Sequence, residues 1–339
     1  MNLYITEQGT SIRKQGNHLR LTKADKLVGD YLISEISSVN IVGAASISSD
    51  AMASLSDAGA SVAFLDRGGR FKGKYASQSA KNVYLRLAQY DAYRDEQNSF
   101  EFAKEFVVTK LQRGIALLDA CHKNPHNPFR FDARPTMQKA LQSAMDCSGT
   151  DKNTLRGIEG NAARIYFCSF AQCLMNGIHF PGRKFYPSTD PVNALLSLGY
   201  AFTAKRIETL LETYGFDPAI GFLHEPEYGR ASLACDILEE FRHPLVDRLV
   251  LKMLNRKFIG AADFVRKDNS DEGPLQLTRK GMAKFIGHYE DFCNSPNRVV
   301  PDNEGASWNS LMRLRVEALR RRLLKKEQSS GGNTNQEAA

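Results

Sequence analysis

Three short segments place polar side chains beside apolar helix positions, and each could contribute to a site. Leu155 to Phe167 (LRGIEGNAARIYF) has helical periodicity, with Leu155, Ile158, Ala162 and Ile165 forming the buried stripe. Glu159 falls at the margin of that stripe, half-buried, with Gly157 and Gly160 flanking it. A glycine inside a helix costs about 1 kcal/mol relative to alanine, so the pair suggests that something approaches the backbone closely. An ion pair with Arg156 or Arg164 is the alternative reading of Glu159. The second segment, Gly221 to His224 (GFLH), is an apolar run that ends in a histidine; alone it reads as a satisfied core or loop residue. In the third, Ser232 to Arg242 (SLACDILEEFR), Leu233, Ile237 and Phe241 make an i, i+4, i+8 stripe. Asp236 and Glu239 are three apart on one face, near enough to share a cation, while Glu240 points elsewhere. A solvated acidic face is the alternative. Taken together, one nitrogen and three oxygen donors on a helical scaffold suit Mg²⁺ or Mn²⁺ better than zinc, because no thiolate pair lies near them. Three carboxylates crowded without a cation repel one another, so a metal-free site is expected to be loose.

These segments lie in the second of two regions. Residues 1–78 read as a small, mainly β domain: Asn2 to Thr6, His18 to Thr22 and Val62 to Leu65 alternate, and Asp66-Arg67-Gly68-Gly69 supplies a hairpin turn before Arg70 to Tyr75. One helix interrupts it, capped by Ser49 or Asp50 and ended by Gly59. Residues 79–326 change to a period of 3.6 and read as a larger, all-α domain. Phe102, Phe106, Val107, Leu111, Ile115 and Leu118 mark a long helix, and further helices are expected from Pro135, Asp151, Pro191, Ser232, Pro244 and Thr278. Asp268 to Gly273 reads as a polar loop, and residues 327–339 as a disordered tail. The fold class is therefore α+β.

Composition narrows the class. The 339 residues are 42% hydrophobic, enough for a sizeable core, which excludes a wholly disordered chain. No apolar run is long enough for a bilayer span, and Met1 to Gly9 lacks the features of an export signal, so a cytoplasmic protein is expected. Six scattered cysteines without a CxxC pair argue against a zinc ribbon or disulfide framework. The net charge is +7, and most of the excess sits between Met312 and Glu327, where seven basic residues face two acidic ones. Trp308, Met312, Val316, Leu319 and Leu323 give that stretch one docked side; its basic side is either a solvated face or a surface for a polyanion.

The blocks GIEGNAARIYF (157–167), DPVNALLSLGYA (190–201) and GFLHEPEYGRASLACDILEEFRHPLVDRLV (221–250), in that order, closely resemble the CRISPR adaptation integrase, the first of the CRISPR-associated proteins. The resemblance covers nearly the whole chain and implies a β domain followed by a helical one. It puts the family's metal ligands on Glu159, His224 and Glu239, with Asp236 assisting. It implies a prokaryotic enzyme that inserts short DNA fragments into a repeat array by attack of a 3′-hydroxyl on a phosphodiester, with Mg²⁺ or Mn²⁺. It further implies a homodimer, two of which hold a dimer of a small ferredoxin-like partner in a heterohexamer. Candidate DNA contacts are Arg164, Arg183, Lys184, Arg230, Arg242 and Arg248. A stand-alone nuclease or mobile-element transposase would use the same residues, and a non-catalytic DNA-binding scaffold would pair them with arginines instead.

Overall fold

Alternating burial turns the start of the chain into two four-stranded sheets. The computed structural model describes residues 1–75, 82–184, 187–266, 273–300 and 304–330, with side chains to 325. Strands β1 (Asn2–Ile5), β2 (Thr10–Gln15), β3 (His18–Lys23), β4 (Lys26–Leu32), β5 (Ser38–Val42), β6 (Ala45–Ile47), β7 (Ser61–Leu65) and β8 (Phe71–Tyr75) form sheets of order β1-β5-β7-β8 and β4-β3-β2-β6. The first sheet is parallel except for the β7–β8 hairpin, whose turn is the expected Asp66–Gly69. Ile12, Leu19, Val39 and Val62 are fully buried between these elements, and α1 (Ser49–Asp57) covers them with Ala51 and Leu55. The cap of α1 is Ser48, one residue earlier than the sequence suggested: its hydroxyl accepts from Ala51 N at 3.3 Å, and Gly59 (φ +75°) ends the turn that follows.

The remainder supplies nine helices among the described residues: α2 (Val83–Arg94), α3 (Glu96–His122), α4 (Arg134–Asp146), α5 (Lys152–Cys173), α6 (Pro191–Tyr214), α7 (Ser232–Phe241), α8 (Arg248–Asn255), α9 (Arg279–Asn294) and α10 (Trp308–Ser330). In space the chain divides into two units. One holds Met1–Ser79 with Phe185–Ala201 and Phe258–His288; the other holds Ala80–Lys184, Phe202–Lys257 and Tyr289–Ala339. The first unit also contains β9 (Phe264–Arg266) paired antiparallel with β10 (Leu275–Leu277), so the later region is not purely helical. Three-residue strands are too short to show a period of two. The polar run between them lies outside the described residues apart from Gly273, whose carbonyl accepts Arg266 Nη1 at 2.8 Å. No helix among the described residues is long and apolar enough to cross a membrane.

Within the second unit, α3 and α5 run side by side in one direction. Lys152 opens α5 and donates to Ser99 Oγ near the start of α3 at 2.8 Å, and further along Lys110 reaches Glu159. Helix α7 is buried on every side, as expected of a helix at the centre of a domain. Pro244 does not begin a new helix as its sequence context suggested. Arg242–Asp247 form a wide π turn that carries α7 into α8. Proline has no N–H for the carbonyl four residues back, so Glu240 O is released, and Arg113 Nη1 takes it at 2.7 Å. Buried Asp247 then accepts from Tyr166 Oη of α5 at 2.7 Å and pairs with His243 Nδ1 at 2.7 Å. Gly114 lets α3 close on this knot, since a Cβ there would stand 3.0 Å from His243 Cδ2. Helix α10 extends to Ser330, four residues into the stretch expected to be disordered, because Lys, Glu and Gln propagate a helix readily; residues 331–339 lie outside the described residues.

Candidate metal centre

Asp236 fixes the histidine. Buried Gln89 of α2 first pins the approaching chain, donating to Asp217 O (2.9 Å) and Ile220 O (2.8 Å) and accepting from Asp217 N (2.9 Å). The backbone then wraps around the Asp236 carboxylate: Phe222 N (2.6 Å) and Leu223 N (3.0 Å) donate to Oδ2, and His224 N (2.9 Å) to Oδ1. Gly221 permits this curl, because a Cβ at that position would lie 2.8 Å from Asp236 Oδ2. Phe222 stacks on Phe102 at 4.4 Å, and Arg156 donates to Leu223 O at 2.9 Å, so the loop is anchored on both sides. His224 Nδ1 stands 2.7 Å from Asp236 Oδ1. A carboxylate there requires the proton on Nδ1 and leaves Nε2 with its lone pair, 4.0 Å from Glu239 Oε1.

Glu239, on the same face of α7 one turn later, has a side chain only 4% exposed. Arg242 Nε lies 3.2 Å from its Oε1, and Lys110 Nζ 2.6 Å from its Oε2. Burial alone pushes this carboxyl up, but Arg242 and Lys110 outweigh it and hold the pKa down at about 2. Glu159 joins the site through the same lysine, whose ammonium contacts its Oε1. Carboxylates from α5 and α7 therefore face a single cation from α3. The loose, self-repelling site expected from the acids alone is not what forms, because Lys110 and Arg242 neutralise it, the first a cation that the acidic motifs do not reveal.

Other expectations need correction. Glu159 is half-buried as expected, one turn after Leu155 and three residues before Ala162. It pairs with neither neighbouring arginine: Arg156 goes to Glu225 at 2.9 Å, and Arg164 is exposed beside Asn161. Among the described residues nothing lies within 4 Å of a Cβ placed on Gly157 or Gly160, so these glycines make room for no described protein neighbour and leave the α5 surface bare there. Asp236 has each oxygen engaged by two nitrogen donors, which makes it the orienter of His224. Lys110 could have been found: it sits four residues after Phe106 and three after Val107, a charge inside an apolar stripe.

No three His, Cys, Asp or Glu side chains among the described residues stand arranged as a ready metal cage, since Lys110 and Arg242 hold the glutamates. The donor set nevertheless fits a hard divalent cation. Two carboxylates converge on one cationic position, an imidazole nitrogen faces one of them, and buried Glu239 Oε2 has a charge beside it but no hydrogen bond of its own.

Residues 3–291 match the family described as CRISPR associated protein Cas1. The chain belongs to the Cas1 family. A CRISPR-associated endonuclease Cas1 of Rhodospirillum rubrum is 32% identical over 331 residues, covering 95% of this chain and 94% of its own. Among solved structures, "Casposase bound to integration product" superposes with a TM-score of 0.82 at 23% identity, over 96% of this chain and 91% of the other. A chain of the "Cas6-RT-Cas1--Cas2 complex" does so at 0.79 and 23% identity, over 96% of this chain and 35% of that one. The β-then-α order is thus the Cas1 fold.

Of the six cations considered for DNA in this Cas1 chain, Arg230, Arg242 and Arg248 are engaged by side chains of the protein. Arg230 pairs with Glu227 at 2.5 Å and braces Glu225 O; Arg242 holds Glu239; Arg248 lies over the Phe292 ring at 5.8 Å. Arg164 and Lys184 are exposed, and Arg183 donates to Lys184 O.

Proposed function

We propose that this chain is a divalent-metal-dependent DNA integrase and endonuclease of CRISPR adaptation, which inserts short DNA fragments as new spacers into a repeat array. The observation that carries this reading is the convergence of Glu159, Glu239 and the open Nε2 of His224 on one cationic position. Glu159 and Glu239 would hold Mg²⁺ or Mn²⁺ through oxygen and His224 through Nε2. When bound, the ion supplies Lewis acidity toward a phosphodiester and lowers the pKa of a neighbouring hydroxyl. Asp236 keeps the imidazole in the ligating tautomer, and Arg242 keeps Glu239 aimed and ionised. The bare surface at Gly157 and Gly160 gives a nucleic-acid backbone a path to Glu159.

The reaction is an in-line displacement: the fragment's 3′-oxygen forms a bond to phosphorus as the bond to the 3′-oxygen of the target strand breaks. One phosphodiester replaces another, so no external energy source is needed, and water as the nucleophile gives hydrolysis at the same site. A homodimer, with two copies flanking a dimer of a small ferredoxin-like protein, would set two such sites a fixed distance apart. The likeness to a chain from a complex that includes Cas2 supports that partner. The likeness to a casposase favours a second reading, a mobile-element integrase with the same chemistry but without the partner; a preference for repeat-bearing targets that appears only with the partner separates the two. The test supplies a duplex with free 3′ ends and a supercoiled repeat plasmid. Wild type is expected to give relaxed, joined product with Mn²⁺ and none in chelator, whereas Glu159→Gln binds DNA without joining it. Joining by Glu159→Gln at the wild-type rate would overturn the assignment.

A further inference from the structure

Lys110 stands where a divalent cation would have to stand. Its side chain is 7% exposed, set among Phe106, Val107 and Leu111 on the core stripe of α3. Removing an ammonium from water is unfavourable unless carboxylates receive it, and here two do, Glu159 from α5 and Glu239 from α7. The fit is one of charge more than of direction. Although Lys110 Nζ lies 2.6 Å from Glu239 Oε2, that oxygen accepts no hydrogen bond of acceptable geometry. A tetrahedral ammonium must aim its protons, whereas a metal ion of this kind imposes no such requirement on each oxygen. Two cations cannot share the position, since they would repel at contact distance beside Glu239, which is almost wholly buried.

Resting on the metal-centre reading above, we propose that Lys110 is a resident counter-ion that competes with the divalent metal for Glu159 and Glu239, so that loading the site requires displacement of the Lys110 ammonium. In the metal-free protein the lysine holds the two carboxylates together. When metal enters, the ammonium has to leave, and the pocket gains positive charge that a phosphodiester can cancel. Metal loading and DNA engagement would then be coupled through this side chain.

The experiment uses the full-length protein without DNA. Mn²⁺ binding is titrated at pH 8 by the paramagnetic resonance of free Mn²⁺, for wild type and Lys110→Met. Removing the competitor is expected to tighten Mn²⁺ binding at least about tenfold, a change of about 1.4 kcal/mol, while the metal-free variant melts below wild type and recovers with Mn²⁺. Should Lys110→Met not fold without metal, the wild type gives a second readout. Modification of Lys110 by an amine-reactive reagent, followed by mass spectrometry, should be slow in chelator and faster with Mn²⁺. Wild type that binds Mn²⁺ while Lys110→Met binds it equally or more weakly, or a Lys110 labelling rate indifferent to Mn²⁺, sinks the competition and leaves the metal-centre reading standing. No Mn²⁺ binding by either protein sinks both.

Discussion

Four donors converge on the Asp236 carboxylate, three of them main-chain N–H groups and the fourth the ring of His224. In Asp236→Asn an NH₂ group would face at least one of those donors, and the imidazole would lose the acceptor that keeps its proton on Nδ1. Removing a carboxylate behind a ligating histidine commonly costs 10- to 100-fold in metal affinity, so Mn²⁺ binding by Asp236→Asn should weaken by about that factor. Calorimetry checks this, with circular dichroism confirming the fold. Glu239 gives a second outcome. Its pKa in the folded protein lies below the ordinary 4.5, near 2, so it contributes stability above about pH 4.5 that is lost as the pH falls toward 2. Denaturant midpoints of wild type and Glu239→Gln should therefore differ at pH 6 and converge by pH 2; a constant gap would mean that Lys110 and Arg242 do not hold the carboxylate ionised. The acids and the histidine were legible because ordered blocks of sequence carry them. Lys110 shows in the sequence only as a charge inside the apolar stripe of α3, and its two carboxylate partners come from α5 and α7, which the stripe does not name.

Helices α7 and α10 are joined by a partly buried ion network next to the site. Arg315 of α10 lies between Glu240 of α7, with Nε 2.5 Å from Oε1, and Glu105 of α3, with Nη2 2.8 Å from Oε1, and Arg322 also reaches Glu105. Two of the seven basic residues counted in that stretch thus face inward. Loss of Arg315 leaves buried Glu240 with the more distant Arg113, 3.6 Å away, so Arg315→Met should destabilise the protein by about 1–3 kcal/mol, and adding Glu240→Leu should restore part of that. Urea unfolding of the two single variants and the double variant measures the coupling. Independent, additive losses would show that the network is not cooperative. Most helices here could be read from periodicity and caps: Asp190 does receive Asn193 N at 2.8 Å, and Gly215 does adopt φ +91°. The π turn could not be read, because it depends on Arg113, 127 residues away from the Glu240 carbonyl it satisfies. Nor could the β9–β10 pair, whose strands carry too few residues to show a pattern.

With Arg315 and Arg322 engaged internally, the charge that α10 offers to solvent comes from other positions. Arg313, Arg321 and Lys325 are exposed and spaced by eight and four residues, which places them on one side of the helix. The chain carries a net charge of +7, so DNA affinity should come mainly from phosphate contacts, with little base preference and a steep loss as salt rises. Each phosphate neutralised contributes about −0.9 to the slope of log K against log salt concentration. If the basic side of α10 meets DNA, Arg313→Ala with Arg321→Ala should flatten that slope by about 2 and weaken binding to all sequences alike. Arg315→Met, despite removing the same charge, should leave the slope unchanged at temperatures where the protein remains folded, because its guanidinium is already committed to Glu240 and Glu105. Binding of one labelled duplex from 50 to 300 mM salt compares the three proteins. An unchanged slope for the double variant would move the DNA surface away from α10 and toward the exposed Arg164 of α5, whereas a flatter slope for Arg315→Met would mean that DNA pulls this arginine out of the core.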